Sequence, residues 1–249
     1  MAGFLREVYG IAYADLAFLK RNIVTTLISS LVSPILYLIA FGYGMRAGDT
    51  EAGVSYIAYV VPGIVAISSM TAGFSSTAQK ILIQRLFHSS FDEMVLSSVR
   101  ISSIVVGKSV IGMVRGLMGT SIMLAIGCLL TPELILSAPL ILSVVFCCFT
   151  FALLGVMAGL LVDSTPTLNM VTSLVILPMT FMCGTLFSID SLPDFAGKIL
   201  WALPLTHSSQ LIRSFALGHG LEWVSLLVLS IYAAAFFAID HYIIRNQKY

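Results

Sequence analysis

The sequence has little charge. Of 249 residues, 13 are Lys or Arg and 12 are Asp or Glu, 10% charged in all, where a soluble domain carries about 25%. So few charges cannot cover a water-facing surface. A chain that is 58% hydrophobic, with a mean hydropathy of +1.00, belongs in a bilayer. Neither sign of charge is gathered into a block, and the net charge is +1. That removes nucleic acid from the partners, because its binding needs a basic face. Cysteine is sparse: Cys128, Cys147, Cys148 and Cys183 sit in apolar runs with no C-x-x-C spacing. Disulfide and metal frameworks are not expected on that ground, and buried free thiols are. The first apolar run follows Lys20-Arg21 and ends on no small-residue site, so no cleavable leader is expected. The long apolar runs also hold few ionisable side chains: Arg115 and the near-terminal Asp240, with Lys108, Glu222 and His241 close to their ends. Proton- or sodium-coupled carriers place carboxylates at the midplane, and channels use charged or carbonyl filters. No H-E-x-x-H, Asp pair or Ser–His arrangement points to an intramembrane hydrolase.

What is present is apolar length. A helix needs about 20 apolar residues to cross the hydrocarbon. Six segments qualify: 23–43, 56–78, 104–130, 137–162, 168–187 and 222–244, with Pro34, Pro62 and Pro178 inside three of them. Residues 1–22 form an amphipathic helix in the membrane interface. On a helical wheel Phe4, Leu5, Val8, Ile11, Ala12, Leu16, Phe18 and Leu19 share one face, opposite Arg6, Glu7, Lys20 and Arg21. Asp15 interrupts the apolar face, either as a water-facing carboxylate or as the buried partner of a nearby base. Six spans put both termini on one side. One set of loops holds Arg6, Lys20, Arg21, Lys80, Arg85, Arg100, Lys108, Arg245 and Lys248; the other holds Arg46, Lys198 and Arg213. The basic excess makes the first side cytoplasmic.

Two connections are long, and long structured loops carry function. The first, residues 80–108, is the most charged stretch of the chain. Ser90-Phe91-Asp92-Glu93 reads as a capping box, with Ser90 at the N-cap and Glu93 three residues on. Asp92 and Glu93 suit a helix N-terminus and Arg100 its C-terminal end. The pattern therefore predicts a helix over 91–100. Phe91, Met94, Val95 and Ser98 form a small apolar stripe on it. Such a helix either rests on lipid headgroups or docks on a protein. The acidic pair favours the protein, because an anionic leaflet repels it. Residues 84–100, with Gln84, Arg85, Phe91, Asp92, Glu93, Met94 and Ser97, are the candidate coupling region. Gly107-Lys108-Ser109 looks like the end of a phosphate loop, but Ser102 stands where that pattern needs Gly. Lys108 reads instead as a basic anchor at a membrane boundary. Arg115, one heptad further, either snorkels to the headgroups or pairs with Asp15 or Asp163.

The second long connection, residues 188–220, predicts two short helices, over 193–202 and 206–217. Thr206 caps the second and Gly218 ends it. Neither is long enough to span. They lie flat in the outer interface or dip in and return as a re-entrant hairpin, an outer lid carrying Leu192, Pro193, Trp201, Pro204 and His207. His207 has only Ser208 and Ser209 beside it and no carboxylate in register, so it reads as structural. Gly112-x-x-x-Gly116 and Gly155-x-x-x-Gly159 permit close helix contacts.

Three places in the chain resemble the ABC-2 exporter permeases, most closely their nodulation-factor and drug-resistance branch. Gln84-Arg85 through Gly107-Lys108 is similar to that family's Arg, hydrophobic-acidic helix, spacer and Gly-Lys. Cys183-Gly184-Thr185-Leu186-Phe187 with Leu192-Pro193 is similar to its small-Gly-x-hydrophobic-Phe and Leu-Pro. Pro204-Leu205-Thr206-His207 with Leu211 and Arg213 is similar to its stretch before the last span. Ser98 and Ser188 stand where the family often has Pro. The resemblance implies an all-α membrane protein with six spans, an interface helix, a cytoplasmic coupling helix and an outer hairpin, paired with a second copy or a paralogous permease. It implies an ATP-binding subunit below, which carries ATP and Mg, with no cofactor on this chain. It implies export of an amphipathic drug, lipid or lipid-linked glycan across the inner membrane. The alternative is a self-sufficient protein: a secondary carrier or a lipid-modifying enzyme.

Overall fold

A computed structural model describes residues 2–43, 56–87, 90–182 and 200–246. The described residues are helical, with no strand among them. Helix α1 is Ala2–Arg21. Helix α2, Ile23–Tyr37, runs on as a π-helical turn, Leu38–Tyr43. Helix α3 is Tyr56–Leu86, α4 Ser90–Leu96, α5 Ile101–Leu130 and α6 Ala138–Leu161. Helix α7, Thr165–Val171, passes through a π-helical stretch, Thr172–Ile176, into α8, Leu177–Met182. Helices α9, Pro204–Ala216, and α10, Trp223–Asn246, complete the order.

Five of these helices are long and apolar enough to cross a membrane: α3, α5, α6, α10 and the segment Ile23–Ala40. A shorter apolar helix, Thr165–Phe181, overlaps the segment expected at 168–187 and begins three residues before it. Both π-helical stretches lie next to a helix-interior proline, Pro34 and Pro178. Proline removes a backbone donor and crowds the preceding turn, and a widened turn is a usual accommodation. Helices α6 and α7 start from the same local signal. Ser137 accepts a hydrogen bond from the Leu140 N–H and Ser164 from the Thr167 N–H, with proline in the first two helical positions each time.

Helices α3, α5 and α6 form the centre. In α3, 78% of the span is buried, against 17% for α2 and 22% for α10, so α2 and α10 lie at the rim. Burial of apolar area does not drive helices together within lipid, so close packing must do it. Small residues supply that packing. A Cβ on Gly155 would stand 2.6 Å from the Phe74 carbonyl, and one on Gly112 would stand 2.6 Å from the Gly73 carbonyl. The two Gly-x-x-x-Gly motifs therefore mark contacts of α5 and α6 with α3 inside the chain. Helix α1 packs on α5 through Ala12, Asp15 and Leu19, which are buried, while Leu5, Tyr9, Tyr13 and Phe18 are exposed. The single apolar face expected for α1 is thus divided between protein and surroundings.

Two further expectations are corrected. The 80–108 interlude is mostly helix, because α3 continues to Leu86 and α5 begins at Ile101. Helix α4 is also shorter than predicted: Ser90 lies inside it rather than capping it, and it ends at Leu96. Arg100 has extended backbone and is the N-cap of α5, not the end of α4.

Candidate functional site

At the α4 end of the bundle, four helices are tied together by polar contacts. Asp15 of α1 is their node. Its carboxylate meets the Lys108 ammonium of α5 at 3.0 Å, and both side chains are almost wholly buried (3% and 2% exposed). Lys80 of α3, partly exposed, stands 3.4 Å from the other Asp15 oxygen, and Gln84 Nε2 donates to that oxygen at 3.4 Å. The Lys80 ammonium also lies 4.7 Å from the centre of the Phe18 ring. Asp15 is therefore the buried partner of a base. Lys108 is that base, two turns inside α5, and not a boundary anchor.

Two more ties flank the node. Glu7 of α1 accepts from the Ser103 hydroxyl at 2.6 Å and from the Arg100 N–H at 3.4 Å, at the start of α5. The Ser103 bond holds the Glu7 carboxyl below the usual range, and the Arg100 N–H and charge add to it against a small opposing effect of burial. Arg85 of α3 caps the end of α6. Its Nη1 donates to the carbonyls of Gly159 (3.0 Å), Leu160 (2.6 Å) and Val162 (3.3 Å), and Nη2 faces the exposed Asp163 at 3.7 Å. Gln84 and Arg85 thus connect helices within the chain.

Helix α4 hangs from this frame by one ring. Phe91 is fully buried with Ile81, Ile104, Val105, Leu153, Val156 and Leu160, and Met94 and Val95 pack beside it. The apolar stripe faces inward. Ser98 lies beyond the helix, and the Ser97 hydroxyl donates to the Met94 carbonyl at 2.6 Å. What α4 turns outward is Glu93, with Asp92 half-buried beside it and Leu96 73% exposed. Phe87, just before α4, is 69% exposed. An acidic edge beside two large bare apolar side chains suits a protein partner better than solvent. Sequence reasoning missed Phe87 and Leu96. Leu96 falls off the Phe91 stripe, which was its signal; Phe87 has the stripe's spacing but precedes the helix, so no local pattern marked it.

Arg115 is apart from this network. Asp15 and Asp163, its two candidate partners, are held by Lys108 and Arg85. Arg115 instead lines a cavity between α2, α3 and α5. Asp240, near the end of α10, is fully buried with no donor at either oxygen among the described residues.

The profile of the ABC-2 type transporter family matches residues 8–217, a range that includes the Asp15 node, α4 and Arg115. The chain belongs to the ABC-2 type transporter family. Nodulation protein J of Neorhizobium galegae is 30% identical over 212 residues, which is 83% of this chain and 80% of that one. Nodulation protein J of Rhizobium leguminosarum bv. viciae is 29% identical over 244 residues, 92% and 90% of the two chains. The inner membrane transport permease YadH of Escherichia coli K12 is 27% identical over 233 residues, 90% and 89%.

The end of the bundle away from α4 holds the stretch expected as an outer lid. Leu192, Pro193, the motif 183–188 and most of the helix expected over 193–202 lie outside the described residues. The second helix, α9, begins at Pro204 with Leu203 as N-cap, so Thr206 does not cap it. Its hydroxyl donates back to the Leu200 carbonyl at 2.6 Å. Pro204 occupies the first turn, where its missing N–H costs nothing. Gly218, at φ +74, ends α9, and the His219 N–H returns to the Ser214 carbonyl at 2.9 Å, a glycine C-cap. His207 Nε2–H donates to the Trp201 carbonyl at 2.7 Å, while Nδ1 faces the Ser225 hydroxyl at 3.4 Å. Its ring meets the Trp201 indole edge-on at 5.0 Å between centres. Burial pushes the imidazole below its usual range, which keeps it neutral. His207 is a buried bracket between the turn at Trp201 and α10, and Trp201 itself is half exposed.

Proposed function

We propose that the chain is the membrane-spanning permease subunit of an ATP-driven exporter, and that α4 is where force from an ATP-binding subunit enters. The observation that carries this reading is how α4 is mounted. Phe91 fixes it to the bundle, and its exposed edge offers Glu93, Asp92, Leu96 and Phe87. Displacing α4 loads α3 and α5, the helices on either side of it. These are the helices that Lys80, Gln84, Arg85, Lys108 and Ser103 tie to α1 and α6. A push at one place is thereby shared across four helices. Gln84, Arg85 and Phe91 transmit, with Met94 packed beside Phe91; Asp92, Glu93 and Ser97 are at or near the docking face.

In this reading six spans cross the membrane, with Thr165–Phe181 belonging to the fifth, and the α4 end is cytoplasmic, as the basic excess requires. ATP and Mg reside on the partner subunit. A second copy or a paralogous permease completes the pathway, and the stretch with Leu192, Pro193, Trp201, Pro204 and His207 forms its outer lid. The cargo is amphipathic. The relatives named for transport support the permease class, and Asp240, the buried carboxylate without a donor among the described residues, lies near the end of α10 rather than at its middle, where a coupling carboxylate is usual.

The test reverses charge at the dock. The double substitution Asp92→Lys and Glu93→Lys is expected to abolish co-purification of the ATP-binding subunit and ATP-driven transport. The permease itself should keep its expression level and thermal stability, because both side chains lie off the Phe91 anchor. Undiminished association and transport in the double variant would remove α4 as the dock. Transport by the purified chain without any ATP-binding subunit would favour a secondary carrier.

A further inference from the structure

Arg115 is a permanent cation placed where cations are expensive. It lies 14 residues after Ile101, about 21 Å along α5 at 1.5 Å per residue, within a hydrocarbon layer of about 30 Å. It is only partly exposed, and it makes no hydrogen bond or ion pair with any described residue. A guanidinium carries five N–H donors and does not deprotonate. Inside a membrane such a group normally faces a cavity and marks a binding site.

The cavity around it, about 210 Å³ between α2, α3 and α5, is rich in spare donors. The Gln79 amide and the hydroxyls of Ser33 and Ser75 also make no hydrogen bond among the described residues. No Asp or Glu lines the space. The acids nearest in sequence logic, Asp15 and Asp163, are engaged by other bases. A cation with three further donors on two facing helices, and no protein anion to meet them, is built for an oxyanion. Donors arriving from α2, α3 and α5 suit a tetrahedral group better than a planar carboxylate, and Arg matches phosphate in a bidentate fork.

Depth and access say what carries the oxyanion. A free anion does not enter hydrocarbon, whereas a headgroup tethered to acyl chains reaches the site from the side. Helix α2, one wall of the cavity, is the least buried of the long helices. Helices α2 and α5 touch at Gly119, where a Cβ would stand 3.7 Å from the Ser30 Cβ, and the cavity continues along α2 past that contact to Ser33 and Pro34. It is therefore approached laterally, past α2.

We propose that Arg115, with Gln79, Ser33 and Ser75, binds the phosphate headgroup of an amphiphile. Calling that amphiphile cargo rests on the permease reading; the binding itself does not. The test therefore contains no ATP-binding subunit, so failure of docking at α4 and failure of headgroup binding are separate results. The full chain, in a neutral maltoside detergent, is titrated with phosphatidic acid and with diacylglycerol of the same acyl chains, and bound lipid is counted by native mass spectrometry. Phosphatidic acid is expected to bind and diacylglycerol not. Arg115→Gln is expected to weaken phosphatidic acid at least about tenfold, the scale of one lost charge-assisted bond, and Arg115→Lys to weaken it less. Equal binding of the two lipids to the unaltered chain overturns the proposal even if Arg115→Gln fails to fold. So does unchanged phosphatidic acid binding in a folded Arg115→Gln chain. An inorganic phosphate arm separates the sources: phosphate that displaces the lipid at equal concentration would make this a free-anion site and overturn the headgroup assignment.

Discussion

Lys108→Met should destabilise the protein by about 3–5 kcal/mol, the usual cost of stripping one partner from a buried ion pair. Asp15 would keep only Lys80 and Gln84, each at 3.4 Å and each less buried than Lys108. The loss should appear as a lowered thermal midpoint of the detergent-solubilised protein, and as release of α1 from α5 in hydrogen exchange. The sign of the second substitution is the informative part. Adding Asp15→Asn to Lys108→Met removes the stranded carboxylate, so the double variant should recover more than half of the loss. A fully buried pair contributes little net energy when both partners go together, because desolvation offsets attraction. A single variant as stable as the parent would mean that Lys108 and Asp15 do not meet in the folded protein.

The second large effect is steric. Gly155→Val should prevent accumulation of folded protein, since its Cβ would sit 2.6 Å from the Phe74 carbonyl and 3.0 Å from the Thr77 Cβ. A backbone carbonyl in the middle of α3 cannot rotate aside, so α3 and α6 must separate. Overpacking in a core that can relax costs about 1–3 kcal/mol, and this site has less room to relax. The control lies on the neighbouring helix. Gly119→Ala meets nothing closer than the Ser30 Cβ at 3.7 Å, and it should leave yield and thermal midpoint unchanged. Equal tolerance of Gly155→Val and Gly119→Ala, read as monodisperse yield from membranes, would contradict the α3–α6 contact.

Much of this arrangement was legible in the sequence, and the parts that were not share a cause. Apolar length located the long helices, since the bilayer fixes the number of residues a span needs. It did not fix where they stop. Helix α3 runs on through Lys80, Gln84 and Arg85 because those polar side chains find partners on α1 and α6. The capping box at Ser90 marked the existence of α4 but not its ends, and Arg100, chosen as its last residue, starts α5 instead. The stripe of Phe91, Met94 and Val95 was visible, but its direction was not. Periodicity tells which residues share a face, not what that face meets. The Asp15–Lys108 pair spans 93 residues of sequence; each residue was conspicuous alone, and only the packing of α1 on α5 joins them. The corner around α9 shows the same limit: His207 meets Trp201 and Ser225, which no helical register relates to it, and Thr206 does not cap α9 because its bond to Leu200 depends on a turn that no local pattern announces.

The central claim is that α4 is the surface through which an ATP-binding subunit drives this permease, and site-directed cross-linking in native membranes tests it most directly. A photo-reactive residue at Leu96 or Glu93 is compared with one at Leu129, which is at least as exposed as Leu96 but at the far end of α5. The account predicts an adduct with the ATP-binding subunit from Leu96 and Glu93, with a yield that changes when ATP is trapped unhydrolysed, and none from Leu129. Absence of any adduct from Leu96 and Glu93, in membranes where the two subunits still co-purify, would contradict it.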